Sequence, residues 1–322
     1  MVLLALSIIA SSLVTPRMPA SSAAALTTPP PLTRRAALTV GGAALLLPRT
    51  ASAAVSGERE VSPSIDVVIK KGNPPVTVSK SRYTGVGDPA WSYQQRDVSS
   101  LIYPADSFPA SYPFTDKDDF KRLDEQDDNE FYKFPKLVYH IDEGSVSALT
   151  RYYDTSIPEG SDVLDICSSW VSHYPRDFPK RMKSIAATGI SEIELKCNDQ
   201  LTGGFKPADL NAKPKLPYAD GSFDAVTCVV SFDYLTKPLD VMREAVRVLR
   251  PGGQLILSQS NRCFYTKAVG VWTRDMSDPA HLRVLGTYVH FAGGLSEPRA
   301  FDISPKGPGT NDPMYIVTAK KV

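Results

Sequence analysis

The C-terminal two-thirds of this 322-residue chain predict an α/β architecture, an open and doubly wound sheet, mostly parallel, with helices on both faces. Three observations carry that expectation. Short β-branched runs alternate with helical spacing from residue 162 onward. The run 223–230 is apolar throughout, as a strand covered on both faces requires. The amphipathic segment 239–249 stops on Arg250-Pro251-Gly252-Gly253, and a further strand signal follows at once.

Residues 1–53 have Arg as their only charged type and no acidic residue. The apolar run 1–13 has the character of a signal-peptide core, and 15–33 is Ser/Pro-rich and transit-like. Arg34-Arg35 then precedes the apolar run 36–47, and Ala51-Ser52-Ala53 offers the small residues a signal peptidase needs. The series resembles the layered leader of a thylakoid-lumen protein in an alga with a secondary plastid, cleaved near Ala53. As an uncleaved anchor, the 12 residues of the second run would span only about 18 Å of a hydrocarbon core about 30 Å thick. No stable membrane span is expected in the mature chain.

Residues 54–135 form an irregular N-terminal extension in this reading. Asn73-Pro74-Pro75, Tyr103-Pro104, Phe108-Pro109 and Tyr112-Pro113 exclude long helices. Residues 65–69 and 76–78 suit short strands, and the acidic run 116–130 suits a solvated surface. The aromatics from Trp91 to Phe134 either anchor the extension or line a substrate entrance.

Within 136–322 the elements follow in order. Residues 162–166 read as a buried strand, 179–183 as a helix and 184–188 as the next strand. Helix 192–198 comes after them, with Ser191 and Glu194 at capping-box spacing. Strand 223–230, helix 239–249 and strand 254–259 come next, with late elements near 302–304 and 315–319.

The segments Leu216-Pro217-Tyr218-Ala219-Asp220-Gly221-Ser222-Phe223-Asp224-Ala225-Val226 and Glu244-Ala245-Val246-Arg247-Val248-Leu249-Arg250-Pro251-Gly252-Gly253 together resemble the type 11 methyltransferases, a class I family. The resemblance covers residues 136–322. It implies a Rossmann-like seven-stranded mixed sheet closed by a terminal antiparallel hairpin, with S-adenosyl-L-methionine as cofactor.

Carried over residue by residue, the resemblance makes Asp165 the organiser of the first loop and places Cys167, Ser168 and Ser169 along the cofactor. Here the family's glycines are missing, although they allow φ > 0 and close backbone approach. The acid that accepts the ribose hydroxyls is missing too, and Ser191 stands nearest its place. Asp209 occupies the position of the adenine acceptor, with Leu210 against the ring. Ser231, Asp233 and Tyr234 border the transfer site, where Asp233 is either the group that orients or deprotonates the acceptor or the start of a turn. Arg262 either clamps an acidic substrate group or sits exposed, and His173 either faces the pocket, poised near neutral pH, or lies on the surface.

The four histidines and four cysteines show no metal-ligand spacing. Cys167 and Cys228 belong to neighbouring strands and are either buried thiols or a lumenal disulfide. Thirty-six basic residues against 35 acidic ones give a net charge of +1 and no global case for nucleic acid as partner. Two functions stand: methyl transfer to a small-molecule or lipid-derived acceptor in the plastid, or a binding and assembly protein on the same fold with altered cofactor use. Trp170 or Tyr174 filling the cofactor pocket would favour the second. The sequence is silent on oligomeric state.

Overall fold

The computed structural model describes residues 64–67, 76–79, 91–103, 107–310 and 312–322. The leader, with Arg34-Arg35, the run 36–47 and Ala51-Ser52-Ala53, lies outside the described residues. Strands β1 (Ser64–Val67) and β2 (Val76–Ser79) pair antiparallel, close to the two short strands expected there. Ser56–Val322 makes one compact unit, so the extension packs with the part that follows it.

The principal sheet contains β3 (Arg96–Asp97), β4 (Asp162–Ile166), β5 (Ser184–Thr188), β6 (Phe223–Val229), β7 (Leu249–Gln259), β8 (Arg299–Asp302) and β9 (Tyr315–Lys320). Its order is β3-β8-β9-β7-β6-β4-β5. β5, β4, β6 and β7 are parallel, and β9 runs antiparallel to both β7 and β8, forming the expected terminal hairpin. Seven strands are present, but the seventh is β3 from the extension, which pairs with β8. At the opposite edge the chain meets β5 only as a parallel bridge from Phe205 to Ala187. Phe205 follows Gly203-Gly204 and precedes Lys206-Pro207, and glycine and proline both weaken a strand.

Helix α2 (Glu143–Ser156) covers one face of the sheet, burying Val146, Leu149 and Tyr153 against Val163 and Ile256. The other face carries α5 (Pro238–Val248) and α7 (Asp278–Ala292). In α5 the buried residues Val241, Met242, Ala245 and Val248 form the stripe that the spacing predicts. Neither α2 nor α7 was legible as a helix. α2 is rich in Ser, Thr and Tyr, with low intrinsic propensity. α7 is buried from His281 through Val289 and so lacks a polar stripe to set the period.

The Arg-Pro-Gly-Gly signal does more than stop α5. β7 already begins at Leu249, and Gly252 takes φ 76° in its bulged first turn. Arg250 bridges the entrances of two strands, 2.8 Å from Asp162 and 2.7 Å from Asp224.

Extension residues enter the core. Ile102 is buried against α7, where Gly286 leaves its side chain room that a Cβ would take. Phe108 stacks on His290 with ring centroids 4.0 Å apart, Phe114 meets Tyr288 edge-on, and Trp91 donates its indole N–H to the Pro308 carbonyl at 3.0 Å. Anchoring is therefore the role of most of these aromatics; Phe134 is the exception at 68% exposed. The acidic run 116–130 departs from the expected solvated face. Asp119 is buried against Arg274, and Asp128 at the start of α1 (Asp128–Phe131) is buried against Arg122 at 2.8 Å and Lys267 at 3.2 Å.

Candidate cofactor and transfer site

The site lies at the carboxyl ends of β4, β5 and β6. Asp165 is buried in β4 and accepts from the Ser168 hydroxyl at 2.7 Å and the Thr227 hydroxyl at 3.2 Å. Burial pushes its pKa up to about 6 against these donors, which pull it down. Cys167 then turns the chain with φ 53°, a left-handed conformation supplied without glycine. Val230 at the end of β6 has φ 37° and His173 has φ 60°; with Cys167 they are the non-glycine residues of positive φ among the described residues. Such strain persists where the surrounding structure over-determines it, and it collects at functional sites.

Ser168 donates its amide to the Thr188 carbonyl at 2.8 Å, which draws the loop onto the end of β5. A Cβ at Gly189 would collide with the Ser168 carbonyl oxygen, so no side chain fits at that point of the second strand. Ser191 instead caps α4 (Glu192–Lys196), its hydroxyl accepting from the Glu194 amide at 3.4 Å. The reciprocal half of the capping box is absent. The Glu194 carboxylate accepts from the Ser169 hydroxyl and from the Lys136 amide, each at 2.7 Å. Sequence reading missed this role because Lys136 lies 58 residues away.

Asp209 is half-buried, and its Oδ1 accepts from the amides of Asn211 and Ala212 at 2.9 and 3.0 Å, an Asx turn. Leu210 is buried in the core. Asn211, another residue not singled out from sequence, joins the Asp128 carboxylate at 2.9 Å to the Tyr234 carbonyl at 3.0 Å. A cavity of about 640 Å³ opens here, lined by Lys121, Arg122, Asp127, Asp209 and Thr236 among others.

Asp233 is 1% exposed, and neither carboxylate oxygen has a hydrogen-bond partner. Burial raises its pKa well above the carboxylate range, outweighing its own amide and Tyr234. The Tyr234 hydroxyl accepts from the Phe264 amide at 2.8 Å, and the Ser231 hydroxyl donates to the Val229 carbonyl at 2.6 Å. Arg262 pairs with the buried Asp312 at 2.9 Å, so its fork is partly committed. The structure thus brings Asp165, Cys167, Ser168, Ser169 and Ser191 together around one loop, and Ser231, Asp233 and Tyr234 around the end of β6.

His173 is not on the surface. It is buried, its Nδ1 has no partner, and burial and then His140 lower its pKa to about 3, so the ring is neutral instead of poised near pH 7. The cysteines are free thiols, with Cys228 buried and Cys167 half-buried, and the disulfide alternative does not occur. Tyr174 packs between Tyr153 and Phe178 on the α2 face and bonds Thr227 at 2.6 Å, while Trp170 donates to the Val138 carbonyl at 3.1 Å. The side chain set among the site's acids is Tyr132 of the extension, whose hydroxyl is flanked by Glu194, Cys167, Asp128 and Asp233 and is raised by burial.

Residues 167–257 match a family model described as a methyltransferase domain. Demethylmenaquinone methyltransferase of Bacillus velezensis is 29% identical over 124 residues, covering 33% of this chain and 48% of that protein. Ubiquinone biosynthesis O-methyltransferase of Xanthomonas oryzae pv. oryzae is 48% identical over 42 residues, 13% of this chain and 18% of that protein. The chain spans less than half the length of these curated relatives. A solved SAM-dependent methyltransferase from Aquifex aeolicus aligns at a TM-score of 0.39 and 18% identity, over 54% of this chain and 89% of that one. The matched segment, the motif pair within it and the sheet order together identify residues 167–257 as the centre of a class I methyltransferase domain.

Proposed function

We propose that this protein is an S-adenosyl-L-methionine-dependent methyltransferase acting on a small-molecule or lipid-derived acceptor in the plastid. The observation that carries it is the convergence of a strained, glycine-free loop at Cys167 with an orphaned buried carboxyl at Asp233, on adjacent parallel strands of this domain. The curated relatives make quinone precursors the first acceptor class to test.

The residues present fit two ends of the cofactor. Oδ1 of Asp209 takes both turn bonds, which leaves Oδ2 to accept from the adenine amino group. The loop Cys167, Ser168 and Ser169 faces the amino-acid end. The ribose finds no free carboxylate at the end of β5, because Gly189 is closed off, Glu194 is engaged and Glu192 pairs with Lys196 at 2.7 Å. When bound, the cofactor supplies a methyl group already activated by its sulfonium.

The chain's own contribution is alignment and exclusion of water. Asp233, protonated in the buried site, offers a hydrogen bond to an arriving acceptor hydroxyl and becomes its proton acceptor once the acceptor's own acidity falls below that of the raised carboxyl. Leu210 packs beside the cofactor's ring in this reading, and Arg262 and Tyr234 border the acceptor.

A second reading, a binding or assembly protein on the same fold, is favoured by Tyr132 standing among the site's acids. Isothermal titration with S-adenosylmethionine separates the two. A Kd in the micromolar range, about −8 kcal/mol, supports the enzyme. Absence of heat, with an unchanged melting temperature at millimolar ligand, transfers the case to the binding protein.

A further inference from the structure

We propose that Glu194 is a positioning residue that ties the N-terminal extension to the cofactor loop, so that cofactor affinity depends on how the extension is seated. This inference rests on the methyltransferase reading above. Glu194 is 2% exposed, and its two oxygens serve different parts of the chain: Oε2 holds the Ser169 hydroxyl, and Oε1 holds the backbone amide of Lys136. Nothing in α4 requires either bond, since Ser191 already caps that helix.

The two bonds are energetically linked through the carboxylate they share. A buried carboxylate served by neutral donors loses much of its compensation when one donor leaves, and the group then binds the remaining donor in a different balance of charge and solvent. Two further ties fix the same stretch of extension. Trp170, next to Ser169, donates to the Val138 carbonyl, and Asp128 joins Arg122, Lys267 and Asn211. Between these ties lies Tyr132, amid Cys167 and Asp233. On the far side of Ser169 its carbonyl accepts from the Asn198 amide group at 3.1 Å, so the loop has no slack to absorb a displaced strap.

The test is titration of the full chain with S-adenosylhomocysteine in Lys136→Pro, which deletes the amide donor without touching a cofactor residue, together with Ser169→Ala, Glu194→Gln, Glu194→Ala and the double variant Ser169→Ala/Glu194→Ala. Lys136→Pro is expected to weaken binding roughly threefold to tenfold, Glu194→Ala more than about tenfold, and Glu194→Gln, which keeps one acceptor oxygen, less than Glu194→Ala. The double variant should bind about as weakly as Glu194→Ala alone, since the two residues act as one unit.

A lowered melting temperature with unchanged affinity in Lys136→Pro and Glu194→Gln overturns the proposal. If the native chain binds no cofactor at all, hydrogen exchange of the ligand-free protein decides instead. Faster exchange across 167–170 in Lys136→Pro upholds the coupling while the methyltransferase reading falls, and unchanged exchange there rejects the coupling.

Discussion

The hydroxyl of Ser168 donates to Oδ2 of Asp165 across 2.7 Å inside the sheet, joining the last turn of β4 to the loop that follows it. Asp165 has no cation among its hydrogen-bond partners, and its pKa rises from 3.8 to about 6 on folding. A raised carboxylate pKa means that the folded chain holds the proton more tightly than the unfolded one. The corresponding stability is therefore fully present below about pH 4 and declines as pH rises through 6, by about 3 kcal/mol in total. Asp165→Asn removes this titration. Denaturant melts at pH 4.5 and pH 7.5 should show the variant gaining on the native chain as pH rises; parallel curves would show that Asp165 ionises as an ordinary carboxylate.

Cys167 holds φ 53° without the freedom of glycine. Cys167→Gly should be neutral or stabilising by up to about 1 kcal/mol, as relief of the left-handed strain offsets the added freedom of the unfolded chain. Cys167→Val should destabilise by about 1–3 kcal/mol, because β-branching is worst at positive φ. Thermal melts of the two variants measure the difference.

Asp209 and Asp233 separate binding from transfer. Asp209→Ala is expected to weaken S-adenosylmethionine about tenfold or more by removing a charge-assisted acceptor, while loss of its Asx turn costs about 1 kcal/mol of stability. Unchanged affinity would remove the adenine assignment. Asp233→Asn should leave cofactor affinity intact and slow transfer about 10²- to 10⁴-fold, read in single turnovers with a hydroquinone acceptor. Equal rates would make Asp233 a structural residue.

Ile102 and Gly286 report the docking of the extension. A Cβ at position 286 collides with the β-branched Ile102 side chain, so Gly286→Ala should cost about 1–3 kcal/mol by overpacking. Adding Ile102→Ala should recover part of that loss. Additive losses, measured in a double-mutant cycle, would show that the two positions do not touch.

Local pattern and motif by themselves determined the methyltransferase architecture. The order of β4 through β7, the stripe of α5 and the loop of Asp165 to Ser169 were all readable, because each depends on residues near one another in sequence. Where local pattern was weak the reading failed: α2 lacks propensity, α7 lacks a polar face, and the Gly-Gly and Pro flanking Phe205 leave a bridge instead of a strand. Tertiary structure alone decided the contacts between distant segments. It supplied β3 as the seventh strand, buried Asp128 and Asp119 from an acidic run, neutralised His173, and turned Glu194 from a helix cap into a bridge to Lys136. Burial changes the cost of a charge by several kcal/mol, and which charges are buried is set by partners that lie far away in the chain.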